Sequence, residues 1–417
     1  MTAVLDFQRQ RDQRLEEPPY FISTSLSDRA AVEVLNDVFT FAVERHISDI
    51  HFEATQGGMI VRVRHNGSMH VLRQLDSTVA RDLDNKVRVK AKLPTSDRLI
   101  PFDGKIRFQS QESGRFVDVR ISVLPTIYGA SIVCRLLDAE RNLIRLDDIL
   151  MPEDVRRVFR ALIEQPQGMF LICGPTGSGK TTTLYGVLQE FDPLESKIIT
   201  VEDPVEYRIH GFVQCETNVK LNFAQALRSI LRQDPDIVLV GEIRDSDTAR
   251  IAVQAALTGH LVLSTIHANN SLLTVSRLMD LEVDPNALSA ALSAVSAQRL
   301  VPSLCPHCRI EREPNEYECE ELQRHLGSVP SVIYDANPDG CSHCVKGRKG
   351  RAPIFEIFTL GPKERLAIEH GKLGDLAALV RAQPCYRPLA ASAFGLVASG
   401  AASFADAQSV VGTDVIS

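Results

Sequence analysis

The sequence predicts an α/β protein in two parts, a smaller α+β segment followed by a larger one built on a parallel sheet. Two patterns predict it. In the second part, short, largely apolar runs at residues 169–173, 197–201, 236–242 and 261–266 read as buried strands, the first leading into a helix-compatible segment at 182–190. In the first part, residues 28–43 carry apolar side chains at helical spacing, and residues 49–53, 59–67 and 116–122 then alternate as half-buried strands do.

These elements give a domain plan in chain order. Residues 1–30 are polar, with Arg9-Gln10-Arg11-Asp12-Gln13-Arg14 and Glu16-Glu17-Pro18-Pro19, and read as a flexible arm. The α+β domain occupies 31–140, a linker 141–152, the α/β core 153–300, a cysteine-bearing subdomain 301–350 and an Ala-rich helical subdomain 351–417. With 417 residues, 44% hydrophobic, the chain buries a full core. No run approaches the ~18 apolar residues of a membrane span, so membrane association is expected only through partners. A net charge of −7, no Trp and seven Tyr argue against nucleic acid, for they supply neither a basic footprint nor a stacking platform. The basic stretch from Lys86 to Lys92 reads as a solvated face.

The most specific motif is Gly174-Pro175-Thr176-Gly177-Ser178-Gly179-Lys180-Thr181, followed by Thr182, between an apolar strand and a helix. Its glycines let backbone N–H groups converge on a polyphosphate at a helix N-terminus. Lys180 then reaches the β- and γ-phosphates, and the Thr181 hydroxyl can ligate Mg²⁺. A second acidic element is expected at the end of another strand, and Glu242 stands there, preceded by Gly241 where Asp is usual. Glu202, Asp203 and Glu206 follow the 197–201 strand and emerge at the same sheet edge. For each acid the alternative is a helix cap or a surface charge. His260 and His267 flank the 261–266 strand and could sense phosphate or position water, or serve only structure.

Four segments in series carry a family resemblance: the glycine-rich loop, Ile199 to Tyr207, Leu231 through Gly241-Glu242-Ile243-Arg244-Asp245, and Thr258 to Asn269. Together they closely resemble the secretion ATPases of type II secretion and type IV pilus assembly, over roughly residues 30–412. The resemblance implies a RecA-like core, a PAS-like N-terminal domain, a four-cysteine zinc subdomain and a helical C-terminal subdomain. It also implies a cytoplasmic homohexamer, peripheral at the inner membrane, that uses Mg²⁺ and ATP to drive pilus or pseudopilus assembly. Its implied partners are an inner-membrane platform protein and an associated cytoplasmic-domain protein. Extra N-terminal domains of longer members precede the matching region and are expected to be lacking, which leaves the mode of recruitment open.

By the same resemblance, Glu242 is the catalytic acid, Glu202 and Glu206 are Asp-box acids, and His260 and His267 are His-box histidines. Arg120 matches an arginine that the N-terminal domain offers to the phosphates. A second such position carries Lys105 in Asp103-Gly104-Lys105, where the family has Arg, and Arg107 could compensate from the same strand face.

Cys305-Pro306-His307-Cys308 and Cys341-Ser342-His343-Cys344 are two CxxC knuckles, able together to close a Cys₄ Zn²⁺ site. The 32 residues between them, 309–340, read as an insertion containing Cys319, and His307 and His343 could substitute as ligands. A redox pair or two unrelated turns are the competing readings. Within the resemblance, a zinc module here marks assembly rather than retraction ATPases. A pilus-retraction or DNA-transfer ATPase remains the alternative function, and a nucleic-acid-stimulated P-loop enzyme a further one.

Overall fold

The computed structural model describes residues 31–412 apart from 46, 66–67, 138–143 and 345, so the arm expected at 1–30 and the first residues of the expected linker lie outside it. The chain forms two compact units, Met1–Arg141 and Asn142–Ser417.

In the first unit the helix Ala31–Glu44 buries Val34, Leu35, Val38, Phe39 and Ala42, one stripe at helical spacing. It packs on strands β1 (Asp49–Thr55), β2 (Gly58–His65), β3 (Ser68–Asp76), β4 (Phe102–Gln109), β5 (Phe116–Thr126) and β6 (Gly129–Leu137). These pair antiparallel in the order β3-β2-β1-β6-β5-β4. Along β5, Val117, Val119, Ile121 and Val123 are buried while Arg120 and Ser122 are exposed, so one sheet face makes core. The helix Ser77–Lys90 starts at Asp76, whose carboxylate accepts from the Thr78 and Val79 N–H groups. The expected solvated face around Lys86 holds for Lys86, Lys90 and Lys92 but not for Arg88. That guanidinium is fully buried, donating to Asp84 at 2.8 Å and to the Pro94 and Asp97 carbonyls.

The second unit contains β7 (Gly168–Cys173), β8 (Ile198–Glu202), β9 (Val213–Glu216), β10 (Ile237–Ile243), β11 (Leu261–Ile266), β12 (Leu292–Leu304), β13 (Ile310–Arg312), β14 (Ile333–Asp335) and β15 (Arg348–Thr359). Seven of them form one sheet, ordered β15-β12-β7-β11-β10-β8-β9, parallel throughout except for the antiparallel edge strand β15. Every residue of β7, β8 and β11 is buried, as strands covered on both faces must be. Phe170, Leu239 and Leu263 face one core with Phe159, and Leu171, Val240 and Val262 face the other.

The end of the linker expected at 141–152 packs on the second unit: Leu146 and Ile149 are buried with Tyr185 and Leu188, and Arg156 donates to the Leu146 and Ile149 carbonyls. One expectation is corrected here. The region after 351 does not begin as helix. Residues 348–359 form β15, because β12 offers an unpaired edge and Ile354, Phe355, Ile357 and Phe358 can be buried there on both faces. Helices follow at Pro362–Glu369, Leu373–Arg381, Leu389–Ala398 and Phe404–Val411.

Phe170 is wholly buried and meets the Phe159 ring edge-on, with centroids 5.3 Å apart. Phe170→Ala should lower the stability of the second unit by about 3–5 kcal/mol in urea denaturation.

Candidate functional site

Parallel pairing aligns Cys173 at the end of β7 with Ile266 of β11 and Ala297 of β12, so the chain segments after β7 and β11 leave from one edge. The glycine-rich loop occupies the middle of that edge and opens the helix Lys180–Leu188. Gly177 and Gly179 take φ of 79° and 86°, a region costly for any side chain. Pro175, Thr176 and Gly177 are exposed, and Thr181 and Thr182 are half-buried in the first helical turn. Lys180 Nζ donates to the Gly174 and Pro175 carbonyls at 2.8 and 3.0 Å. Burial holds its pKa below the ordinary lysine value, an effect opposed by the charges of Glu242, Cys173 and Glu206.

Glu242 is the hub of the acidic side. Its Oε1 lies 2.8 Å from His267 Nε2, and its Oε2 2.7 Å from the Arg244 guanidinium. Arg244 also stands 3.8 Å from Asp203. The structure therefore joins Glu242 and His267 and adds Arg244, which carried no role in the sequence reading. Its signal was there in part, since Arg244 follows Glu242 by two residues, one past the end of β10.

Glu202 behaves differently. Its carboxylate is buried and accepts from the Tyr185 hydroxyl at 2.5 Å and from Thr200 Oγ1 at 2.6 Å. Desolvation raises its pKa against these hydrogen bonds, and Tyr185 is raised in turn by burial and by Glu202. Glu206 donates its backbone N–H to Glu202 and is half-buried. The glycine before Glu242 has a steric cause: a Cβ on Gly241 would lie 3.1 Å from the Val201 carbonyl oxygen and 3.2 Å from Glu202 Cα.

His260 precedes β11 whereas His267 follows it, so the strand's length separates them. His260 Nδ1 contacts the Ala255 carbonyl at 2.9 Å, at the end of the helix Ser246–Leu257, and the structure does not bring it to the Glu242 cluster. Arg120 is exposed on β5, directly opposite Lys105 on one side and Arg135 on the other, which makes a cationic row. Arg107 shares that face but lies over the Phe116 ring at 4.8 Å.

Cys305, Cys308, Cys341 and Cys344 converge, with their sulfurs all within 4.8 Å of one another. The separations of 3.8, 3.5 and 3.6 Å for 305–341, 308–344 and 341–344 match the edges of a sulfur tetrahedron around one ion. Zn–S bonds of about 2.3 Å give edges of about 3.8 Å, so the donor set is consistent with zinc. His307 and His343 are not part of this group; their rings stack on each other at 4.3 Å. Cys319 lies instead 3.8 Å from the Pro314 carbonyl. The intervening residues are ordered as the β13–β14 pair and the helix Glu316–Leu326.

A phosphate-binding loop beyond a central parallel strand, with an oriented carboxylate on a second strand at the same edge, defines a P-loop nucleoside triphosphatase. The chain belongs to the type II/IV secretion system protein family, whose model matches residues 25–408, and it is an ATPase of that family. It is 42% identical over 348 residues to type II secretion system protein E of Dickeya dadantii, covering 83% of this chain and 68% of that one. It is 41% identical over 360 residues to type II secretion system ATPase E of Vibrio cholerae, covering 85% and 70%. Among solved structures, the pilus retraction motor PilT with bound ADP superposes with a TM-score of 0.62 at 25% identity, covering 90% of this chain and 96% of that one. The Legionella pneumophila ATPase DotB shares the fold, with a TM-score of 0.68 at 19% identity over 93% and 97%. The α/β secretion-ATPase fold expected from the sequence is thus the one found.

Because burial raises the Glu202 pKa above its ordinary 4.5, the folded chain keeps that proton to higher pH than the unfolded chain. The stability it contributes is complete below pH 4.5 and is lost as pH rises through the raised folded-state value. Glu202→Gln should remove this slope, so urea midpoints of wild type and variant should diverge above pH 4.5; parallel profiles would count against it.

Proposed function

We propose that this chain is the Mg²⁺-ATP-driven motor of a type II secretion machine, working as a homohexamer on an inner-membrane platform protein and its cytoplasmic-domain partner. The observation that carries this reading is the Glu242–His267–Arg244 cluster beside Lys180, in a chain about two-fifths identical to type II secretion E proteins. The four-cysteine cluster favours assembly over retraction, since the resemblance ties that module to assembly ATPases.

In this reading the loop amides and Lys180 hold the phosphates, and Lys180 exchanges its contacts to the Gly174 and Pro175 carbonyls for phosphate oxygens. Thr181 and the acids at the strand ends offer the oxygen donors that Mg²⁺ takes, and the ion when bound neutralises phosphate charge. Glu242 accepts a proton from, or orients, the attacking water. His267 and Arg244 fix its two oxygens and thereby its direction. Glu202, buried in its Tyr185 and Thr200 bonds, shapes the β8 end, and Glu206 adds negative field near Lys180. Arg120 keeps the role the family implies for it, a cation offered to phosphate. His260 has no place in this chain's cluster. The chain works at the inner membrane through its partners, and no described helix is long and apolar enough to cross a membrane. The four thiolates hold one structural Zn²⁺.

Lys180→Ala and Glu242→Gln should each lower ATP turnover by at least about a hundredfold with the fold intact. A Glu242→Gln variant hydrolysing ATP at the wild-type rate would overturn the assignment. The purified protein should carry about one zinc per chain, and Cys305→Ser with Cys341→Ser should lose it and destabilise the C-terminal part. Unchanged metal content and stability in that double variant would refute the zinc site.

A further inference from the structure

The nucleotide loop rests on a residue outside its own motif. Gln298 lies on β12, one residue past the Ala297 that pairs with Cys173, and is 1% exposed. Its Oε1 has no hydrogen-bond partner among the described residues, and neither has Ser178 Oγ, on a residue 3% exposed. Two loop glycines press against Gln298. A Cβ at Gly174 would stand 2.4 Å from its carbonyl oxygen, and one at Gly179 2.8 Å from its Nε2. The same position at Gly174 would lie 2.9 Å from Ser178 Oγ. A buried acceptor and a buried hydroxyl donor, both unsatisfied, therefore border the same turn of chain.

Buried polar groups without partners are costly and uncommon, and they persist where another state of the site supplies what is missing. The state described here has its loop tied by Lys180 to the Gly174 and Pro175 carbonyls. A polyphosphate competes for that ammonium and frees the loop to move.

We propose that Gln298 is a positioning residue for the phosphate loop: when phosphate takes Lys180, the Ser178 hydroxyl donates to Gln298 Oε1 and latches the loop in its loaded form. This rests on the nucleotide-binding reading above. A contact made only in the loaded state strengthens binding without stabilising the empty protein. The latch also has mechanical reach. The next residue, Arg299, donates to the Val410 carbonyl at 2.6 Å and the Asn269 carbonyl at 3.0 Å, and β12 runs on to Cys305. One strand thereby touches the loop, the segment after His267, the last helix and the cysteine cluster.

The test is Mg²⁺-ATP binding by the full chain, compared for wild type, Gln298→Leu, Ser178→Ala and the double variant, with urea denaturation of each in the absence of nucleotide. Each single variant should weaken ATP affinity by about tenfold, and the double should lose no more than the weaker single, because both cut one contact. Nucleotide-free stability of Gln298→Leu should be unchanged or higher. Additive losses, unchanged affinity in either single variant, or a stability loss with unchanged affinity would overturn the latch. Should Gln298→Leu not fold, Gln298→Asn, which keeps the amide but withdraws it by one methylene, replaces it with the same expectation for affinity. Failure of the wild type to bind ATP would sink the nucleotide reading itself, whereas wild-type binding with indifferent variants sinks only the latch.

Discussion

Parallel hydrogen bonding between β12, β7, β11, β10 and β8 is the constraint on which the site depends. β7, β8, β10 and β11 end at the same edge and β12 crosses it at Ala297, so segments far apart in sequence arrive side by side: the loop after Cys173, Glu202, Glu242, His267 and Gln298. Such an arrangement needs both sheet faces covered, and the two cores on either side of β7, β10 and β11 supply that cover. The site is therefore rigid below and open above. Glu242 is fixed at its backbone by β10 and Lys180 by the first turn of the helix Lys180–Leu188, while Thr176 and Gly177 remain exposed to receive a ligand.

Charge is distributed unevenly along this edge, and burial decides which groups are reserved for structure. Glu202 spends its carboxylate on Tyr185 and Thr200 within the protein, and its raised pKa follows from desolvation. Glu242 keeps partners that are themselves half exposed or more, His267 and Arg244, so its surroundings can rearrange. Two carboxylates that look alike as strand-end acids thus differ in burial and in partners through environment alone. The Gly241 that separates them belongs to the same economy of space, because β8 and β10 approach too closely there for a side chain to fit without displacement.

The cysteine cluster and the C-terminal helices share one brace. Arg309 donates to the Gly400 carbonyl and stacks on Tyr334, which ties the segment between the knuckles to the turn between the last two helices, and Arg348 of β15 pairs with Asp406 of the last helix. β12 connects this region to the nucleotide edge through covalent chain rather than through a loop. A change in the phosphate loop felt at Gln298 has a short, stiff path toward Cys305.

The sequence by itself determined the motifs whose chemistry is local. The glycine-rich loop, the CxxC knuckles and the buried strands at 169–173 and 261–266 were legible because their spacing and residue types have few other uses. Glu242 and His267 were legible as strand-end residues, though not their contact. Only the tertiary structure separated Glu202 from Glu242, placed His260 beyond reach of the cluster, turned residues 348–359 into an edge strand and set Gln298 and Arg244 at the site. These depend on which strand neighbours which and on how deeply each group is buried. Sheet order and desolvation arise from contacts between distant segments, and no local pattern of residues encodes them.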